Sequence, residues 1–261
     1  MILNQILKYK RREIERAKKK LPLAKLAQKL ASRSWEKRSF RAAVSNKTGV
    51  RLICELKQAS PSGGVLRKHF NPVRIAREFE RAGACAISVL TERRFFKGSP
   101  EFLSRVRAAT KLPVLRKDFI VEPYQVYETA LMGADAMLLI ASILSGRRIR
   151  ELTKLARQFR IEALVEVHNE RELKKALGAG AGLIGINNRD LKTLRIDLSV
   201  ADRIIPLVPK GITIVIESGI ESREHAARYQ KRGVNAFLVG TSLMRAPNVG
   251  HKIKELKNAS G

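Results

Sequence analysis

The chain of 261 residues carries 52 Lys and Arg against 24 Asp and Glu, a formal net charge of +28. Its 44% hydrophobic content excludes a disordered basic tail, and two cysteines in apolar runs, Cys54 and Cys85, exclude a disulfide-dense secreted scaffold. No stretch approaches the roughly eighteen consecutive apolar residues of a membrane span, and the N-terminus lacks a secretory signal's apolar core, so a cytoplasmic protein with no membrane partner is expected.

Residues 1–50 hold 15 basic and 3 acidic side chains. Ile2, Ile6, Leu7 and Ile14 share one helical face and Leu23, Leu26, Ala27 and Leu30 another, which predicts two helices packed on the rest of the chain by their apolar stripes. After residue 50, short apolar, β-branched runs recur at 51–56, 84–90, 113–115, 135–140, 162–167, 183–186, 213–216 and 235–239. Helical patterns at 72–82, 123–132, 147–159, 170–177 and 223–232 lie between them. Strand starts fall every 20 to 33 residues, the length of one strand and its return helix. Gly83, Gly133, Gly180 and Gly233 each follow a helical pattern, as a left-handed residue past a helix end would. Eight such units with strands apolar on both faces predict an α/β fold of parallel strands, a (β/α)8 TIM barrel. No Pro/Gly/Ser-rich linker divides it, so residues 1–261 are read as one barrel domain with residues 1–50 as a helical extension packed on it.

In such a barrel the chemistry lies where strands run out into their loops. The first run ends in Glu55 and Lys57, followed by Ser60. The third runs into Lys117, Asp118 and Phe119, and the fifth contains Glu166. The sixth leads to Asn187, Arg189 and Leu191, the seventh to Glu217, Ser218 and Gly219, and the eighth to Gly240 and Thr241. One such charge alone reads equally as a core ion pair. Four or more at the same end of successive strands point to a reactive mouth, because ionisable groups in apolar strands are costly to bury unpaired. Ser218-Gly219 and Gly240-Thr241-Ser242 offer hydroxyls and backbone N–H groups after strands seven and eight, where barrels commonly hold a phosphate; ordinary helix capping is the competing explanation.

Other signals carry less. Gly180–Gly185 fits a dinucleotide-binding spacing but leaves a helix and enters a strand, the wrong order. The four histidines are scattered without zinc-ligand spacing, His168 reads as a capping or loop residue, and both cysteines read as small buried hydrophobes.

The segments Glu55–Ser62, Ser88–Glu92 with Phe95–Ser99, Pro113–Ile120, Leu164–His168, Gly185–Leu191, Glu217–Ile220 and Asn235–Arg245 resemble, in order, those of the indole-3-glycerol phosphate synthase family of tryptophan biosynthesis, and the N-terminal extension fits it too. The resemblance implies closure of 1-(2-carboxyphenylamino)-1-deoxyribulose 5-phosphate to indole-3-glycerol phosphate with loss of CO₂ and water, by a carboxy-lyase needing no cofactor or metal. It implies Lys117 as general acid, Lys57 as partner of the substrate carboxylate and Glu166 as general base. Glu55 and Asn187 would orient these groups, Glu217 would be a further site carboxylate, and Arg189 would clamp a carboxylate or hydroxyl. Ser60, Ser218, Gly219, Gly240 and Thr241 would cradle the phosphate, while Phe96, Phe119, Leu138, Leu191 and Leu194 would wall the aromatic ring. A lysine acid works best with its pKa lowered, and Lys57 converging on Lys117 is expected to lower it.

The chain departs from the family at Gly63, where a loop lysine is common; Arg67 and Lys68 are the expected substitutes. The resemblance also implies a monomer acting on a small phosphosugar. Two other readings compete. Phosphoribosylanthranilate isomerase would need a Cys/Asp pair, but alternation along the first strand turns Cys54 away from the barrel axis. A polyanion-binding protein would use Arg93-Arg-Phe-Phe-Lys97 and the Lys18–Lys20 run. The basic excess is otherwise spread over helix surfaces, which favours no specific nucleic acid and at most incidental polyanion adhesion.

Overall fold

A computed structural model describes residues 2–33, 36, 38–45 and 49–257. Each apolar run forms a short strand: β1 (Leu52–Leu56), β2 (Ala86–Leu90), β3 (Val114–Lys117), β4 (Ala136–Ile140), β5 (Glu162–Val167), β6 (Leu183–Asn187), β7 (Thr213–Glu217) and β8 (Ala236–Val239). They pair in parallel and in sequence order, and β8 returns to β1 with Phe237 opposite Leu52. This is the expected (β/α)8 barrel with an N-terminal helical extension. It closes because every strand buries both faces and leaves no edge unpaired.

Alternation along the strands separates two cores. Cys54, Leu139, Val165, Ile184, Ile216 and Phe237 point outward, into a layer shared with helices such as α4 (Pro72–Arg81) and α7 (Gly146–Gln158). Ile53, Leu115, Leu138, Leu164, Leu183, Val215 and Leu238 point inward and fill the barrel. By the same period, Glu55, Lys117, Glu166, Asn187 and Glu217 continue the inward rows at the C-terminal mouth.

Strands β3, β6 and β7 outlast their apolar runs, ending at Lys117, Asn187 and Glu217. Hydrophobic patterning stops a residue or two short there because the polar groups are partnered inside the mouth and the ladder continues beneath them; Asn187 lies directly opposite Glu217. The loop after β1 turns back on itself, with Ala59–Ser60 pairing antiparallel to Gly64–Val65.

The extension contains three described helices, α1 (Ile2–Lys20), α2 (Leu23–Ala31) and α3 (Phe40–Ser45), where periodicity predicted two. At six residues, α3 is too short to show a hydrophobic period. It plugs the base of the barrel, with Phe40 and Val44 wholly buried among inner-core residues. Arg41 fastens it, donating from its side chain to the Gly211 carbonyl (2.8 Å) and from its backbone N–H to Glu162 Oε2 (2.7 Å). Helices α1 and α2 pack on α6 (Pro123–Met132) through Ile14, Leu26 and Tyr124. The first turns of α1 then reach the rim, and Ile2, Leu3 and Ile6 help to line the mouth.

Replacing Phe40 with Ala empties a fully buried aromatic site at the barrel base. It is expected to lower the unfolding free energy by about 3–5 kcal/mol, measured by urea denaturation.

Candidate active site

A cavity of about 480 Å³ opens at the C-terminal mouth, within the size range of small-molecule sites. All sixteen of the candidate residues line it: Glu55, Lys57, Ser60, Phe96, Lys117, Phe119, Leu138, Glu166, Asn187, Arg189, Leu191, Glu217, Ser218, Gly219, Gly240 and Thr241, together with Leu194.

The charges are paired rather than loose. Lys117 Nζ lies 2.9 Å from Glu166 Oε2 and also hydrogen-bonds Glu217. Lys57 pairs instead with Glu55, at 2.7 Å. The carboxylates need space that only glycine leaves: a Cβ on Gly185 would strike the Glu217 carboxylate, and one on Gly240 would strike that of Glu55.

These pairs correct one expectation. Burial opposes charge on Lys117, but the carboxylates of Glu166 and Glu217 outweigh it and raise its pKa above the ordinary lysine value. Lys57 is engaged by a different carboxylate, Glu55. Glu166 is also buried, yet Lys117 and His168 hold it well below the usual carboxylate range. Burial, with Glu166 nearby, pushes Glu217 up to about 7 despite Lys117. Its Oε1 is buried and has no hydrogen-bond partner among the described residues.

His168 lies in the loop between β5 and the next helix, as one of its two expected roles had it, but it is not the cap. The cap of α8 (Glu170–Gly178) is Asn169, whose side chain accepts from the Glu172 N–H. His168 instead turns inward two residues beyond Glu166, the spacing of one strand face. Its Nε2 lies 3.3 Å from Glu166 Oε1 and its Nδ1 3.1 Å from Glu172 Oε2.

Next to Lys117, Asp118 points the other way into a buried network. It accepts from Thr91 Oγ1 (2.6 Å) and Arg116 Nη2 (3.0 Å), and pairs with Lys10 Nζ at 2.8 Å. Lys10 is 3% exposed, so one lysine of α1 is internal and braces the backbone beside the catalytic candidate.

At the other side of the mouth, Ser218 holds a left-handed backbone (φ +67°), and Asn188 Nδ2 steadies it by donating to its carbonyl (3.1 Å). Thr241 starts the short helix α11 (Thr241–Arg245), where Ser242 Oγ is buried without a partner among the described residues. Ser60 Oγ accepts from the Gly63 N–H at 3.1 Å. Arg67 and Lys68 do not line the cavity; Arg245 does, and its guanidinium lies 3.1 Å from where a Gly63 Cβ would sit. Arg189 is half-buried and donates one N–H to the Leu194 carbonyl (2.8 Å), which braces the loop after β6.

The apolar wall brings Phe96 and Phe119 together at 6.3 Å between ring centroids. Ile2, Leu3, Ile6 and Arg245 were not singled out in the sequence. Ile2 and Ile6 read only as part of a packing stripe, Leu3 was outside that stripe, and Arg245 meets the site through a helix too short to show periodicity. Cys54 and Cys85 are both buried, and neither lines the cavity; burial pushes the Cys85 thiol up to about 11. An isomerase-type cysteine acid therefore has no place here.

A closed parallel barrel with paired lysines and carboxylates at its C-terminal mouth, beside a corner rich in hydroxyls and glycine, defines an enzyme of the (β/α)8 class. The sequence profile described as indole-3-glycerol phosphate synthase matches residues 3–256, and the chain belongs to that family. Relatives bearing the same name include one from Campylobacter hominis, 45% identical over 98% of this chain and 99% of its own. Another, from Dehalococcoides mccartyi, is 46% identical over 98% of this chain and all of its own. Among solved structures, KGPDC from Streptococcus mutans superposes with a TM-score of 0.62 at 15% identity, covering 80% of this chain and 96% of its own. Thiamine phosphate pyrophosphorylase from Pyrococcus furiosus gives 0.60 at 21% identity, covering 82% and 95%. At that identity the likeness is one of fold.

Replacing Lys117 with Met leaves Glu166 and Glu217 buried without their shared cation. A stability loss of about 3–5 kcal/mol at neutral pH is expected. Glu217, already pushed up to about 7 beside the lysine, is then raised further above its unfolded value while His168 still faces Glu166, so the folded state binds more protons. The variant's stability should fall relative to the parent as pH rises from 5 to 8, in urea melts across that range.

Proposed function

We propose that this chain carries out the reaction its family is named for, closing 1-(2-carboxyphenylamino)-1-deoxyribulose 5-phosphate to indole-3-glycerol phosphate with release of CO₂ and water. The observation that carries this reading is the placement of Lys117 between the Glu166 and Glu217 carboxylates, in a mouth that also presents an apolar wall and a group of hydroxyls.

The substrate has an aryl carboxylate at one end and a phosphate at the other. Phe96, Phe119, Leu138, Leu191 and Leu194 take the ring, and Lys57 and Arg189 face its carboxylate. Ser60, Ser218, Gly219, Gly240 and Thr241 take the phosphate, with Ser242 Oγ unspent beside them. Lys117 stays protonated across the neutral range, so it always has a proton to offer. That proton moves when ring closure builds negative charge on the carbonyl oxygen, which outcompetes the carboxylates for it. Glu166, held ionised, takes the proton released as the ring becomes aromatic. Glu55 and Asn187 orient these groups and the sugar hydroxyls. Glu217, pushed up to about 7, both holds and releases a proton near neutrality.

The chain works as one barrel domain over residues 1–261, as a cytoplasmic monomer without cofactor, metal or specific nucleic-acid partner. Its two cysteines are free and buried, which suits a reducing compartment. The exposed large apolar residues among those described, Leu23, Val65, Ile196 and Leu207, lie apart in sequence and on different elements.

The test is incubation with the carboxyphenylamino-deoxyribulose phosphate while following indole fluorescence. Product should form in the parent, and Glu166→Gln and Lys117→Ala should each lower kcat by about 10²–10⁴-fold. Fluorescence no greater in the parent than in these variants would overturn the assignment.

A further inference from the structure

Glu166 is approached by cations from opposite sides. Lys117 meets Oε2 from β3 and His168 meets Oε1 from the end of β5. Only Lys117 lines the cavity, so only Lys117 is drawn away when substrate arrives. A buried carboxylate that loses its sole cation takes up a proton, and a protonated Glu166 is no base. His168 stays in place. Its side chain is 12% exposed and is anchored by Glu172, which accepts the His168 backbone N–H (2.9 Å) and faces its Nδ1. Glu172 is itself fixed by Asn169 Nδ2 at 3.0 Å. The row Glu172, His168, Glu166, Lys117, Glu217 thus alternates in charge from the first turn of α8 to the end of β7. Asp190, on the loop after β6, is a further carboxylate near His168.

We propose that His168, oriented by Glu172, is a positioning residue whose charge holds Glu166 ionised while Lys117 engages the substrate. Burial disfavours the imidazolium, but Glu166 and Glu172 on either side push His168 up to about 10, so it is charged throughout the neutral range. Mechanistically it does for Glu166 what a second lysine would, without entering the cavity or contacting substrate.

The inference rests on the ring-closure reading above, and its test separates the two. In the ligand-free parent, histidine NMR should show the His168 imidazole titrating at least about two pH units above the ordinary histidine value, and in Glu166→Gln that midpoint should drop. A His168 midpoint near the ordinary 6.5 overturns the proposal whatever the activity. With the carboxyphenylamino substrate, His168→Gln should lower kcat about 10- to 100-fold while KM changes less than about threefold. The acid limb of its pH–rate profile should move to higher pH by at least about one unit, because Glu166 has lost the cation that keeps it ionised. Glu172→Gln keeps the imidazole but lowers its pKa, so activity should fall away on the alkaline side below the parent's limb. Parent-like pH profiles in both variants would overturn the proposal even with kcat reduced, since a packing defect alone leaves the limbs in place. Should His168→Gln not fold, the Glu172→Gln profile decides. A parent that forms no indole product sinks the ring-closure reading, while the NMR midpoint still reports on the ion pair.

Discussion

The structure turns on the burial of Lys117 between Glu166 and Glu217. Three charges removed from water would each cost several kcal/mol, and only mutual contact offsets that cost. The three residues lie in the last residues of β3, β5 and β7 toward the mouth, Glu166 one residue before its strand's end, and these strands do not neighbour one another in the sheet. They meet because a closed barrel turns the side chains of alternate strands toward the same layer of its axis. The surrounding features serve that contact. Gly185 and Gly240 leave the carboxylates room, Asp118 and Arg116 fix the backbone beside Lys117, and α3 seals the opposite end of the barrel.

The same contact changes what the lysine is. A free lysine pair in the mouth would repel and acidify both members, whereas this lysine is made more basic and its carboxylates are driven apart in proton affinity. Acid and base roles are set by differences between environments, and here the difference arises from a shared cation. His168 extends the alternation one step beyond the cavity wall.

The +28 has little to do with this chemistry. Four cations line the cavity, Lys57, Lys117, Arg189 and Arg245. Elsewhere the surplus lies on outer helices, for instance Arg74, Arg77, Arg81 and Arg105 around a shallow groove between α4 and α5 (Pro100–Ala109). The extension, the most basic segment, contributes to the site mainly through apolar side chains, Ile2, Leu3 and Ile6. Among its described lysines Lys10 is buried, and it is used on Asp118. Net charge here is a property of the surface.

Strand spacing, apolar runs and the glycines after helices made the barrel legible, since parallel strands buried on both faces have few other ways to close. Gly83, Gly133, Gly180 and Gly233 all adopt the left-handed backbone their positions implied. The strand-end polar residues were legible too, because a charge in an apolar run is conspicuous by its cost. What one dimension did not carry was which charges meet. That Lys57 faces Glu55 while Lys117 faces Glu166 and Glu217, that His168 bends inward instead of capping α8, and that Arg245 reaches the space above Gly63 all depend on side chains from distant segments sharing one low-dielectric mouth. Proton affinity there is set by distance and burial, which exist only once the barrel has closed.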